Sequence, residues 1–237
     1  MTEPGTPFTT RLTEKIPRAA DVVSFRFERL PDFDYRPGQW AVLTIPGPDG
    51  TMTHHFTYSS SPTEPWLEMT TRLRGTPFKN ALDALPLGAE VTMAGPNGFF
   101  TLGDKVPRAA FLAGGIGITT VRSILRALAD RGMDRPLLLL YGNHDEGGIA
   151  FGDELVDIGR VLPGLRVVHV LSDPGPAWTG DRGFIDATLV QREAQPLTDW
   201  HFFLSGPPPM VESLKTMLGG LGVPRESVST EEYLGYN

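Results

Sequence analysis

The chain has 237 residues and no cysteine. That absence excludes disulfides, thiolate zinc sites, thiol nucleophiles and cysteine-ligated iron–sulfur clusters, and it matches a reducing compartment. Long apolar runs are missing as well. The longest purely aliphatic stretch is residues 137–140, far too short to span a bilayer. The opening Met1-Thr-Glu-Pro-Gly5 has no basic stretch followed by an apolar one, so no signal peptide and a cytoplasmic location are expected. Positive charge is scarce: the formal net charge is −7, with 9 Lys and Arg against 12 Asp and Glu through Asp104 and 12 against 16 after it. Neither half is basic, so no nucleic-acid or anionic-membrane footprint is expected. Histidine is sparse at five residues, and the one adjacent pair, His54 and His55, would point to opposite faces of a strand. No metal site is expected from so few ligands.

What remains is an ordinary globular composition, 40% hydrophobic and 21% charged, at a length suited to one large or two small domains. Residues 1 to about 103 read mainly as strands. Residues 8–16, 21–30, 39–45, 54–60 and 66–73 are short runs rich in Val, Thr, Phe and Tyr, separated by Gly and Pro turns. One helix interrupts them, with Phe78, Ala81, Leu82 and Leu85 at i, i+3, i+4 and i+7. Residues 90–94 form a further strand. From about Pro107 the rhythm becomes strand–helix alternation. Apolar runs at 109–113, 137–141, 165–171 and 200–204 alternate with helical stripes such as Val121, Ile124, Leu125 and Leu128. Such alternation predicts a parallel sheet covered on both faces. The expected fold is an N-terminal antiparallel β-barrel over residues 1–104 followed by a C-terminal α/β domain over 105–237.

Ala113-Gly-Gly-Ile-Gly-Ile-Thr119 falls between a strand and a helix, where glycines allow close approach to a pyrophosphate and the helix N-terminus supplies free N–H groups. Gly115 and Gly117 match a dinucleotide fingerprint, Thr120 stands at its third glycine, and Thr119 is the expected N-cap. A second turn, Leu204-Ser-Gly-Pro-Pro208, ends another parallel strand. His54-His-Phe-Thr-Tyr-Ser-Ser-Ser-Pro62 alternates rings with hydroxyls, a pattern suited to a planar heteroaromatic ligand. No Ser-His-Asp or nucleophile-elbow arrangement is present, and the acidic pair Asp145-Glu146 reads as solvated surface.

In order along the chain, these segments resemble the ferredoxin–NADP reductase superfamily, in its short, cluster-free branch. Tyr35-Arg-Pro-Gly-Gln-Trp40 resembles its Pro-Gly-Gln strand start, and His54-His-Phe-Thr57 stands at its Arg-x-Tyr-Ser/Thr motif. Thr71-Arg-Leu-Arg-Gly-Thr-Pro-Phe-Lys-Asn80 is similar to its pyrophosphate-holding strand–helix. Residues 113–119, Tyr141-Gly-Asn-His144 and Ser205-Gly-Pro-Pro208 resemble its nucleotide loop, ribose segment and Cys-Gly-Pro loop, and Glu231-Glu-Tyr-Leu-Gly-Tyr236 its aromatic end. The resemblance implies FAD bound by His54, Phe56, Thr57, Tyr58, Ser59, Thr71, Arg72, Phe78, Lys79 and Asn80, with Tyr236 as a mobile cover. It implies NAD(P)H bound by Gly114, Gly115, Gly117, Ile118, Thr119, Gly142, Asn143, His144, Gly206 and Pro207. Thr57, Ser205 and Glu232 become the expected catalytic set, aligning nicotinamide for hydride transfer to FAD N5.

Three departures from that pattern carry consequences. His54 replaces the phosphate-facing Arg, which weakens the flavin site and leaves FMN open as the flavin; Arg72, Lys79 and the helix near Pro77 can compensate. Ser205 replaces the cysteine that would line the nicotinamide pocket. His144 replaces a common basic residue, which favours NADH, with Arg182 able to compensate. The function implied is an NAD(P)H-oxidising flavoprotein that passes electrons to a separate redox protein of ferredoxin, flavodoxin or oxygenase type. The alternatives are a free-flavin reductase and a non-catalytic electron-relay or regulatory subunit.

Overall fold

The structure is a computed structural model that describes residues 5–48 and 50–233. Its first half is an antiparallel sheet of six strands: β1 (Pro7–Ala19), β2 (Val22–Glu28), β3 (Trp40–Gly47), β4 (Gly50–Thr57), β5 (Trp66–Arg72) and β6 (Glu90–Asn97). They run in the order β4-β3-β6-β1-β2-β5, and the outer strands meet where Tyr58 bridges Met69, so the sheet curls into a barrel. Alternation decides what fills it: Leu12, Phe25, Phe27, Leu43, Leu67 and Met69 all point inward and are buried. Helix α1 (Pro77–Ala84) lies between β5 and β6; Thr76 caps it by accepting from the Lys79 N–H at 3.4 Å, and Pro77 takes the first turn.

The second half is a parallel sheet in the order β10-β9-β8-β7-β11-β12, from β7 (Ala109–Gly114), β8 (Leu137–Asn143), β9 (Leu165–Leu171), β10 (Asp181–Arg182), β11 (His201–Gly206) and β12 (Val228–Glu232). All six residues of β7 are buried, as a central parallel strand requires. Ala109, Phe111 and Ala113 pack with α2 (Ile118–Asp130) and α3 (Gly152–Val161). Ala110 and Leu112 pack on the other face with α4 (Ala187–Glu193) and α5 (Pro208–Gly220).

The two sheets share contacts. Phe100, from the turn after β6, joins the core on the α2 face with its ring 5.3 Å from Phe203. Arg122 of α2 is 3% exposed and donates to the Ser59 carbonyl at 2.9 Å, to both oxygens of Glu64, and to Glu154 at 2.5 Å. Ser123 donates to the Ser60 carbonyl beside it.

The structure departs from the sequence expectation in three places. β4 begins at Gly50 and ends at Thr57, four residues earlier than expected at its start, because polar Thr51 and Thr53 face outward on a hairpin. Helix α4 is only seven residues, too short for a periodic stripe, and is announced mainly by its Asp186 cap. Strand β12 pairs with β11 although its exposed residues, Thr230 and Glu232, are polar and no strand was expected there.

Candidate active site at the junction of the two sheets

Two cavities flank the junction. The first, of about 500 Å³, opens at the carboxyl ends of β7, β8 and β11, where open α/β sheets bind ligands. Gly114, Gly115, Gly142, Asn143, His144 and Pro207 line it together, and Arg72 and Arg74 reach it from the barrel half. Gly115 has φ +52 and open space where a Cβ would stand, so its backbone is presented bare to the cavity. Both amide atoms of Asn143 are buried without a hydrogen-bond partner, which a bound polar ligand would satisfy. Ile116 of the 113–119 loop also lines this cavity, as do Ser172, Phe184, Ile185 and Met210, which were not expected at the site from the sequence. At its rim, Ser172 and Asp173 follow β9. Asp173 donates its N–H to the His144 carbonyl at 2.8 Å, and its carboxylate lies 3.7 Å from His144 Nε2. Ser172 Oγ is 3.2 Å from His144 Nδ1.

The second cavity, of about 260 Å³, lies between the halves. Trp40, His54, His55, Phe56, Thr57 and Thr70 come from the barrel, and Thr119, Glu231, Glu232 and Tyr233 from the parallel sheet. Thr57 donates to Glu231 Oε1 at 3.4 Å and Thr120 donates to Glu231 Oε2 at 2.7 Å. The Tyr233 hydroxyl stands 3.1 Å from Thr57 and 3.2 Å from Thr119, and it also meets Thr120. Burial pushes the Glu231 carboxyl up to about 7, with the Thr120, Thr57 and Tyr233 hydrogen bonds pulling it back. Burial likewise pushes the Tyr233 phenol well above its usual range.

The sequence-predicted residues divide. Phe56 and Phe78 pack at a tilt beside His54, with ring centroids 4.9 Å from His54 to Phe56 and 5.7 Å between the two phenyl rings. Arg72 pairs with Asp21 at 3.1 Å, while burial, then Arg74 and Arg72, pull the Lys79 ammonium down to about 8. Asn80 is exposed and donates to the Gly75 carbonyl at 3.2 Å.

Tyr58 does not reach the cavity: it sits inside the barrel against Tyr35, ring centroids 4.4 Å apart, because the strand ends at Thr57. Ser59 is also turned inward, 2.7 Å from Thr70 and donating to the buried Glu68 carboxylate at 3.2 Å. Thr71 is buried in β5. Ser205 donates to the Gly117 carbonyl at 3.0 Å, and a Cβ at Gly117 would run into the Ser205 carbonyl, so this pair and Gly206 form a backbone seam instead of a cavity wall. Thr119 does not cap α2. Gly117 is the N-cap, Ile118 opens the helix, and the Thr119 hydroxyl donates to the Ile116 carbonyl at 3.0 Å. Glu232 lines the second cavity but is exposed, whereas Glu231 carries the hydrogen bonds. Tyr236 lies outside the described residues. Strand parity would have separated the two glutamates, had residues 228–232 been read as a strand.

The residues fit a flavin and a pyridine nucleotide. The second cavity offers Trp40, Phe56 and Thr hydroxyls to a planar ring system. Arg72, Arg74 and Lys79 concentrate positive charge beside Asp21 in an otherwise acidic chain, a setting suited to pyrophosphate. Among the described residues, no cluster of His, Asp or Glu could hold a metal ion, and no helix is long and apolar enough to cross a membrane.

Residues 111–216 match the oxidoreductase NAD-binding domain family. The chain is 33% identical to ferredoxin–NADP reductase B of Sorangium cellulosum, over 96% of this chain and 98% of that one. It is 28% identical to the propane 2-monooxygenase reductase component of Mycolicibacterium smegmatis, over 92% of this chain but 65% of that longer protein. Among solved structures, the cytochrome P450 reductase GcoB of Amycolatopsis superposes with a TM-score of 0.86 at 24% identity, over 98% of this chain and 71% of that one. The FAD/NAD-binding domain of a Vibrio cholerae nitric oxide dioxygenase gives 0.85 at 20%, over 98% and 99%. These two show a shared fold. The class defined is that of FAD- and NAD(P)H-dependent oxidoreductases with a barrel followed by a nucleotide-binding sheet. The chain belongs to the ferredoxin–NADP reductase family.

Proposed function

We propose that the chain oxidises NADH at the junction of its two sheets and delivers the electrons to a separate redox protein, with residues 1–104 as the flavin domain and 105–237 as the nucleotide domain. The observation that carries this reading is the convergence of Thr57 from the barrel with Thr120 and Glu231 from the parallel sheet at one cavity. Bound FAD would supply the chemistry that neither half has alone, taking a hydride and releasing electrons singly.

The chain's own residues do the rest. Phe56 and Trp40 offer apolar faces to the ring, Thr57 aims a hydroxyl at its edge, and Arg72, Arg74 and Lys79 hold phosphate charge. Gly114 and Gly115 let the nucleotide approach the backbone of the loop, and the exposed Phe184 gives the adenine a stacking face. Tyr233 fills the gap between Thr57 and Thr119, so it moves aside when nicotinamide enters and excludes water until then. Glu231, poised near neutrality, holds or releases a proton beside Thr57 and Thr120. Ser205 acts as a strut for the Gly117 turn.

The preference for NADH rests on the rim of the first cavity. A ribose 2′-hydroxyl can donate to Asp173, whereas a 2′-phosphate would face that carboxylate beside His144. Arg182 is occupied, donating to the Gly175 and Trp178 carbonyls. Anaerobic mixing of the flavin-loaded protein with NADH should bleach the visible flavin band, more slowly with NADPH. A yellow colour that persists with both coenzymes would end this reading.

A further inference from the structure

The barrel's two buried glutamates, Glu64 and Glu68, are each met by arginine. Glu64 Oε1 accepts from Arg122 at 2.9 Å, and Glu68 pairs with Arg18 at 2.8 Å and Arg26 at 2.9 Å. A guanidinium suits only the ionised carboxylate, because it has no acceptor for a carboxyl proton. Glu231 is met by hydroxyls instead: Thr120 donates to Oε2 at 2.7 Å, Thr57 to Oε1 at 3.4 Å, and Tyr233 to Oε2 at 3.5 Å. A hydroxyl donates to a carboxylate and accepts from a carboxyl, so this setting serves both protonation states. Thr120 makes the shortest of these bonds and is fully buried in the first turn of α2. The start of that helix is pressed onto β11, where Gly117 has no Cβ to strike the Ser205 carbonyl and Ser205 donates back at 3.0 Å. Ser205 is in turn the register partner of Glu231 across β11 and β12, so the seam sets Thr120 against Glu231. Thr119 is already bonded to the Ile116 carbonyl. The titratable groups sharing the cavity are Glu232, Tyr233, and His54 and His55 from β4, while α2 turns Arg122 away to Glu64 and Glu154.

We propose that Thr120 is a positioning residue for the flavin-reoxidising half of the reaction, its hydroxyl keeping the Glu231 carboxylate at Thr57 ready to take up the proton that stays behind when the electrons leave. This rests on the flavin reading of the second cavity and on Glu231 as its proton-handling group. The hydride that NADH gives up is divided in that half: two electrons pass singly to two molecules of a one-electron acceptor, and one proton forms a new O–H bond on Glu231 before going to water. Burial pushes the Glu231 carboxyl up to about 7, and the Thr120 bond is the first of the contacts that pull it back. Without that donor the carboxyl stays protonated to higher pH and has no lone proton site to offer near neutrality. Arginine in the same place would hold the carboxylate ionised and stop it from passing a proton on, which is the state of Glu68. Thr120 therefore acts through Glu231 and needs no contact of its own with flavin or nicotinamide.

The test separates the two half-reactions of the flavin-loaded full chain by stopped flow: anaerobic flavin reduction by NADH, then reoxidation by ferricyanide. Thr120→Val keeps the side-chain shape and removes the donor. It should slow reoxidation about fivefold at pH 7 and regain the wild-type rate at pH 9, where Glu231 is ionised in both proteins. The reductive half moves no proton to Glu231, so its pH profile should stay where it is in wild type. Thr120→Ser restores the hydroxyl and should restore the reoxidation profile. Melting of the same proteins gives a readout independent of turnover. Loss of the donor raises the folded-state carboxyl further above its unfolded 4.5, so Thr120→Val should lower the melting temperature more at pH 8 than at pH 5. On a Glu231→Gln background that pH dependence should vanish. If Thr120→Val does not fold, Thr120→Ala carries the same comparison. The proposal is overturned if reoxidation at pH 7 keeps the wild-type rate, if it slows equally at pH 7 and pH 9, if Thr120→Ser behaves as Thr120→Val, or if the melting loss has the same pH dependence with and without Glu231. A wild-type flavin that NADH does not reduce breaks the flavin reading instead, and the role of Thr120 falls with it.

Discussion

The two cavities are built by different means. The nucleotide cavity is largely a backbone structure: Gly114, Gly115 and Gly142 sit at the ends of adjacent parallel strands, and their lack of side chains is what makes room. The junction cavity is a side-chain structure, in which hydroxyls and a carboxyl from both halves meet across a domain interface. A backbone cradle needs only local sequence to specify it. A side-chain constellation needs the two halves to hold a fixed separation, and Arg122 with Phe100 supplies that rigidity.

Breaking the junction should therefore have the largest effect. Arg122→Ala leaves Glu64 and Glu154 without their buried partner, and about 3–5 kcal/mol of stability should be lost. Urea unfolding would then show the halves separating into two transitions; a single transition at the wild-type midpoint would refute the role given to Arg122.

A smaller effect sharpens the comparison on the side-chain cavity alone. The Glu231 carboxyl is raised in the folded protein to about 7 from 4.5. Its contribution to stability is complete below about 4.5 and is lost as pH rises through about 7. Glu231→Gln cannot ionise, so its melting temperature should rise relative to wild type between pH 5 and pH 8, corresponding to roughly 1–3 kcal/mol. An equal difference at both pH values would show that Glu231 is not held proton-rich.

Ser205→Ala tests the backbone seam. Loss of its bond to the Gly117 carbonyl should cost about 1 kcal/mol, read as a fall of a few degrees in melting temperature, with the rate of flavin reduction by NADH unchanged. A slower reduction at unaltered stability would return Ser205 to the nicotinamide. The smallest expected change is at the cavity rim. Asp173→Asn should raise the NADPH to NADH ratio of kcat/KM by roughly two- to fivefold, the range open to exposed charges. No change in that ratio would locate coenzyme choice elsewhere.

These differences track what could be read from the chain. Gly114, Gly115, Gly142, Asn143, His144 and Pro207 were all predicted from loops at strand ends, and they line one cavity. In the barrel half, His54, Phe56 and Thr57 reach the cavity, but Tyr58 and Ser59 turn inward. Their direction depends on where β4 stops, and strand ends are set by pairing with a distant partner, here Met69 and Glu68. Thr120 and Tyr233 lie within segments the sequence singled out but were given no role there, and their meeting with Thr57 and Glu231 exists only after the two halves pack.

By itself the sequence determined the elements, the barrel followed by a parallel sheet, and the glycine cradle, because periodicity and backbone freedom act over a few residues. The missing cysteines likewise determined that no iron–sulfur relay ligated by cysteine lies within this chain. Tertiary structure alone decided that Glu231 and not Glu232 faces Thr57, and that Ser205 braces a turn. Those outcomes depend on strand parity, register and the packing of one half on the other, which join residues far apart in the chain, 174 positions for Thr57 and Glu231 and 88 for Ser205 and Gly117.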